Sequence, residues 1–164
     1  MPSQPVTRAV ITLPTGDRLT FGGQEQLGIA FSPDGSQLAY LANRSGMEQI
    51  YLRKMDSLEG KPIPGTDRGS GPFFSPDGQW LGFFADGKLK KISVNGGAAL
   101  SLADAALPRG GSWSSRGAMI FAPSAGVLQQ VFEGGGAPQA ATLDGGGRRT
   151  ALESEWARTV LSQR

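Results

Sequence analysis

The sequence predicts an all-β chain, a partial β-propeller of about three four-stranded antiparallel blades with a short C-terminal helix or irregular tail. Three observations lead there: a segment that recurs with a period near forty residues, a turn sequence at the heart of each copy, and a composition suited to many short strands. Among 164 residues there are 25 glycines and 11 prolines, with an apolar fraction of 38% and no collagen-like period. A chain of this length is one domain by the usual prior and is long enough to bury a real core.

The repeat is read directly. Ala30-Phe31-Ser32-Pro33-Asp34-Gly35-Ser36-Gln37-Leu38-Ala39-Tyr40 returns as Phe73-Phe74-Ser75-Pro76-Asp77-Gly78-Gln79-Trp80-Leu81-Gly82-Phe83. A third copy, Ser112-Trp113-Ser114-Ser115-Arg116-Gly117-Ala118-Met119-Ile120-Phe121, keeps the aromatic-Ser start and the glycine but lacks the proline and aspartate. Ser32 and Ser75 stand 43 positions apart, and Ser75 and Ser114 stand 39 apart. That period fits one propeller blade, whereas helical repeats of similar length would show 3.6-residue periodicity and few glycines.

Each Ser-Pro-Asp-Gly reads as a type I turn, with Pro33 or Pro76 presetting φ at its second position. Asp34 or Asp77 follows at the third, Gly35 or Gly78 at the fourth, and the hydroxyl of Ser32 or Ser75 is free to cap. The strand after it, Leu38 to Ala42 or Trp80 to Ala85, is apolar on both parities, so both of its faces are expected to be buried. In the second copy Asp86-Gly87 between apolar runs marks a tight hairpin. The first copy is expected to use a longer loop, Asn43 to Glu48, before a strand from Gln49 to Met55. Third strands then end near Asp56, at Asn95-Gly96-Gly97 and at Gly134-Gly135-Gly136, with outer strands at Lys61 to Pro64, Ala98 to Leu102 and Gln139 to Leu143.

These elements place blades at about 28–66, 71–103 and 111–143, inside a propeller region of 1–143. Val6 to Leu13 alternates like a lone strand, about 5–13, suited to completing a blade from another part of a ring. Residues 144–164 fall outside the pattern. There Thr150 and Glu153 have capping-box spacing and Leu152, Trp156 and Val160 recur at helical intervals, so a short helix is expected. Such an ending is what a truncated or frame-shifted gene would give.

Composition removes much chemistry. Without cysteine or histidine the chain has no disulfide, no thiol nucleophile, no zinc site of the usual ligand type and no Ser-His-Asp triad. A formal charge of +2 gives no field that would recruit nucleic acid. No stretch approaches the roughly 18 to 20 apolar residues of a spanning helix, and Met1 to Arg8 lacks the apolar core of a signal peptide. Lys88, Lys90 and Lys91 alternate with Leu89 and Ile92 and read as a solvated strand edge. Gly82 to Lys88 matches G-x-x-x-x-G-K, but Leu89 stands where a hydroxyl is required and the string crosses a hairpin, so no phosphate site is expected. The Gly triplets at 134–136 and 145–147 read as turns or linker, not phosphate cradles.

At the Ser-Pro-Asp-Gly turns, and at Asn43-Arg44-Ser45-Gly46-Met47-Glu48-Gln49-Ile50-Tyr51, the chain resembles the TolB-like propellers with WD-like repeats. Tyr51-Leu52-Arg53, Pro62-Ile63-Pro64-Gly65-Thr66, Pro72-Phe73-Phe74 and Gly110-Gly111-Ser112-Trp113 look like the propeller following the membrane helix of some bacterial serine/threonine protein kinases. The resemblance covers residues 5 to 143 and departs at 114–117 and beyond 144. It implies a sensor-type propeller in a periplasmic or extracytoplasmic setting, within a ring of about six blades. Two blade faces would then be open and prone to self-association.

Asp34 and Asp77 recur once per repeat, as turn residues do, so neither is expected to be catalytic or to bind calcium. The candidate ligand-binding residues are instead Asp67, Arg68, Asp104 and Arg109, on the blade-to-blade connections 65–71 and 103–111. Arginine there suits a carboxylate or phosphate through paired hydrogen bonds. The expectation is a non-catalytic binding module for a protein, peptide or small ligand, without cofactor or metal and without membrane insertion by this chain. It would belong to a larger protein such as a propeller-bearing kinase. The alternative is the propeller of a glycosidase, or of a serine peptidase lacking its hydrolase domain.

Overall fold

The computed structural model describes residues 18–20, 28–123 and 126–141. The expected strand at 5–13 and the expected helix in 144–164 lie outside the described residues. Within them every regular element is a strand: β1 (Arg18–Leu19), β2 (Ile29–Phe31), β3 (Gln37–Arg44), β4 (Met47–Lys54), β5 (Gly60–Pro62), β6 (Ser70–Phe74) and β7 (Trp80–Ala85). They continue as β8 (Lys88–Ser93), β9 (Leu100–Asp104), β10 (Gly111–Trp113), β11 (Ala118–Phe121), β12 (Gln129–Phe132) and β13 (Gln139–Ala140).

They make three antiparallel meanders, β2-β3-β4-β5, β6-β7-β8-β9 and β10-β11-β12-β13, here called blades 1, 2 and 3. The sequence did not signal β1, which adds to blade 1. It pairs with β3 at Leu19↔Ala42, and the Thr20 amide then donates to the Leu41 carbonyl. The Leu41 amide in turn donates to Gly28, so β1 and β2 share one side of β3 as two parts of an interrupted inner strand.

The turns explain the meander. In blade 1 the Gly35 amide donates to the Ser32 carbonyl at 2.9 Å, and the Ser32 hydroxyl accepts from the Gln37 amide at 2.9 Å while donating to Asp34 at 2.5 Å. Asp34 also takes the Ser36 amide and hydroxyl. Blade 2 repeats this with Gly78 on Ser75, the Trp80 amide on the Ser75 hydroxyl, and Asp77 accepting from Ser75 and from the Gln79 amide. Blade 3 keeps the Gly117-to-Ser114 bond and the capping serine with one residue fewer, because Ala118 donates to Ser114 four positions back instead of five.

At the other end of the blades, Asp86 and Gly87 both have positive φ, 53° and 70°, the conformation of a two-residue hairpin. The long loop expected at Asn43 to Glu48 is corrected. Ser45 and Gly46 take φ of 54° and 86°, β3 and β4 pair out to Arg44↔Met47, and the hairpin has the form seen in blade 2. Ser45 adopts a conformation that side chains disfavour, which is why the sequence hid it. The outer strands also sit differently from expectation, at Gly60–Pro62 and Leu100–Asp104. The lysine run is not an edge either, since β8 lies between β7 and β9.

The blades stack face to face. One cluster joins Ala30, Ala39, Leu41, Ile50 and Ile63 of blade 1 to Phe74, Leu81, Phe83, Ala85 and Ile92 of blade 2. A second joins Phe73, Phe84, Leu89 and Leu102 of blade 2 to Trp113, Met119, Phe121 and Val131 of blade 3. Inner strands approach most closely, β2 with β6 and β6 with β10. A third cluster, Leu38, Tyr40, Ala42 and Tyr51, lies on the opposite face of β3 and β4, turned away from blade 2, with the two tyrosine rings stacked at 5.6 Å.

Candidate functional site

The connections that carry Asp67, Arg68, Asp104 and Arg109 run along the hairpin end of the blades, opposite the Ser-Asp turns. They are held by backbone. The Arg68 amide donates to Glu48 O at 3.0 Å, Ala105 to Gly87 O at 2.7 Å, and Arg109 to Ala122 O at 2.8 Å. Thr66, wholly buried, anchors the first connection: its hydroxyl accepts from the Ile50 amide at 3.1 Å and donates to Ile63 O at 2.7 Å. A buried amide and carbonyl without that hydroxyl would each be costly, so Thr66 positions the loop that presents Arg68.

The four candidates are exposed, but they do not form one cluster of facing charges. Asp67 accepts from the Gln49 side chain at 2.7 Å. Asp104 pairs with Lys88 at 2.6 Å, and this partner holds its carboxyl below the usual range. Arg68 lies near the Asp86 carboxylate, which bonds Lys90 at 2.6 Å and is lowered first by that bond and then by the charges of Lys90 and Arg68. Among the described residues neither the Arg68 nor the Arg109 guanidinium has a hydrogen-bond partner, and Arg109 lacks the neighbouring carboxylate that Arg68 has in Asp86.

Sequence reasoning missed the apolar company of these charges. Met47 at the first hairpin, Leu107 on the second connection and Val127 ahead of β12 are all exposed at this end of the blades. Leu107 has φ of 49° and Arg68 of 55°, strained values for such side chains. The only sequence signal was position, namely large apolar residues inside turn-rich connections. The third lysine of the run has a different environment, with the Lys91 ammonium 5.1 Å from the Trp80 ring and 6.0 Å from Trp113, tying blade 2 to blade 3. Among the described residues no group of acidic side chains is arranged to hold a metal ion, and no helix is long and apolar enough to cross a membrane.

No protein-family model matches the chain. An uncharacterised protein of Agrobacterium fabrum is 32% identical over 88 residues, which is 51% of this chain and 29% of that protein. The crystal structure of TolB from Acinetobacter baumannii matches with a TM-score of 0.57 at 20% identity, over 83% of this chain and 35% of that one. The β-propeller domain of the Trilobed protease from Pyrococcus furiosus matches with a TM-score of 0.51 at 12% identity, over 71% of this chain and 38% of that one. The chain thus spans roughly a third of each.

Proposed function

We propose that this partial β-propeller, TolB-like in fold, is a non-catalytic binding module whose hairpin end takes an anionic segment of a protein or peptide. The observation that carries this reading is Arg109: an exposed guanidinium with no partner among the described residues, on a connection fixed at both sides of it by backbone bonds, Arg109 to Ala122 and Ala122 to Gly110. The planar fork of the guanidinium suits a carboxylate through paired hydrogen bonds, and Arg68 adds a second cation on the equivalent connection. Exposed Leu107, Met47 and Val127 supply apolar contact beside them, so the ligand is a peptide with a carboxylate next to an apolar side chain rather than a bare ion.

The recurrence of Asp34 and Asp77 in equivalent turns, each saturated by its own serine and backbone amide, favours a scaffold role over an acid-base pair. Catalysis, whether by a kinase or another domain, would then belong to other parts of a larger protein. The test is selection of a phage-displayed random peptide library on the full chain. Recovered peptides should pair Asp or Glu with an apolar residue, and Arg109→Ala or Arg68→Ala should weaken them roughly ten- to hundredfold, more at low salt. Binding untouched by both substitutions would overturn the reading, as would glycoside or peptide turnover abolished by Asp34→Asn or Asp77→Asn.

A further inference from the structure

Arg68 and Arg109 occupy equivalent places in two neighbouring blades. Arg68-Gly69 leads into β6 at Ser70, and Arg109-Gly110 leads into β10 at Gly111, so each arginine stands two residues before its inner strand. Ser70 pairs with Phe84 and Gly111 with Phe121, and those two rings are 6.3 Å apart across the contact between blades 2 and 3. The Phe73 ring of blade 2 lies against Gly111 itself. The two inner strands therefore begin at one level of the stack. That sets the backbones of the two arginines side by side, separated by a sheet-to-sheet spacing of about 10 Å.

Both positions are pinned through the main chain, the Arg68 amide on Glu48 O at 3.0 Å and the Arg109 amide on Ala122 O at 2.8 Å. The aspartates around them are already engaged. Asp67 accepts from Gln49, Asp104 holds Lys88, and Asp86, whose carboxylate feels the charge of Arg68, holds Lys90 at 2.6 Å. What remains at this level of the hairpin end is a pair of exposed guanidinium forks, neither with a hydrogen-bond partner among the described residues. Each fork can take one carboxylate through two parallel hydrogen bonds.

Resting on the reading of this end as a site for an anionic peptide, we propose that its ligand carries two carboxylates three residues apart, one for each arginine, in an extended polyproline II conformation. The spacing follows from the blade repeat. Carboxylates three or four apart on a helix are about 5–6 Å from one another at Cβ, short of the gap between blades. In a β-strand, residues two apart span about 7 Å and residues four apart about 13 Å, while those three apart point to opposite sides. Three residues of polyproline II complete one turn and advance about 9 Å, which returns the second carboxylate to the side of the first at nearly the spacing of two blades. The repeat thus acts as a ruler, reading acid-x-x-acid.

The experiment is fluorescence anisotropy on the full chain with short labelled peptides in a Ser and Leu background, carrying one glutamate or two glutamates set one to five positions apart. The pair three apart should bind roughly tenfold or more tighter than the single-glutamate peptide. Glu-Pro-Pro-Glu, held extended by its prolines, should bind at least as tightly as Glu-Ser-Ser-Glu. Arg68→Ala and Arg109→Ala should each bring the pair down to the level of the single glutamate, with Arg→Gln replacing either variant whose circular dichroism shows a lost β fold. If paired glutamates bind no better than one while Arg109→Ala still weakens binding, the ruler is overturned and the site stands. An optimum at another spacing, or Glu-Pro-Pro-Glu binding worse than Glu-Ser-Ser-Glu, also overturns it. If no glutamate peptide binds the full chain, the anionic site and the ruler fall together.

Discussion

At the scale of single residues, the pair Ser32 and Asp34, with its copy Ser75 and Asp77, sets the geometry of two blades. The serine is buried because its hydroxyl replaces the backbone carbonyl that the amide of Gln37 or Trp80 would otherwise need. The aspartate orients that hydroxyl by accepting a hydrogen bond from it. The hydrogen bonds of Ser32 and then Ser36 draw the Asp34 carboxyl down to about 2, and the Ser75 bond lowers Asp77 in the same sense. A carboxyl depressed in the folded state contributes stability that is complete above about pH 4 and is lost as pH falls through the folded value. Urea unfolding followed from pH 5 to pH 2 should therefore show stability falling as the pH drops below about 4. Asp34→Asn with Asp77→Asn should lower stability at pH 5 and flatten that fall, since no carboxylate remains to be protonated at either turn. A fall of unchanged slope would show that the two turns do not carry it.

At the scale of elements, blade 2 meets blade 3 through a missing side chain. The Phe73 ring lies over Gly82, its cross-strand partner, and against Gly111 of β10, so a Cβ at either glycine would run into the ring. Gly82→Ala should cost about 1–3 kcal/mol in chemical unfolding and should disturb Trp113 fluorescence, because Phe73 and Trp113 share one cluster. A neutral substitution would mean that the ring is free to move. What the sequence made legible at this scale was local chemistry. The Ser-Pro-Asp-Gly turns and the Asp86-Gly87 hairpin announce themselves because their conformations require those residues. The hairpin at Ser45 did not, because a serine occupies a glycine-like conformation. Likewise β1 is too short to carry a pattern, and the lysines of β8 take partners, Asp104 and the Trp80 and Trp113 rings, that only the three-dimensional register brings near.

At the scale of the whole molecule, the three described blades are held to one another by the two clusters between them. The candidate site follows the same logic. Its residues were found in the sequence because connections between blades could be located once the period was known. Their separate partners were not, because Asp67 with Gln49 and Asp104 with Lys88 are joined across loops from different strands. The account depends on the stacking of equivalent meanders, and the most direct measurement is a set of nuclear Overhauser contacts between blades in the full chain. It predicts contacts between the rings of Phe84 and Phe121, whose centroids are 6.3 Å apart, and between the Ile92 methyl groups and Gly65. Their absence, with within-blade contacts such as Tyr40 to Tyr51 still present, would contradict it.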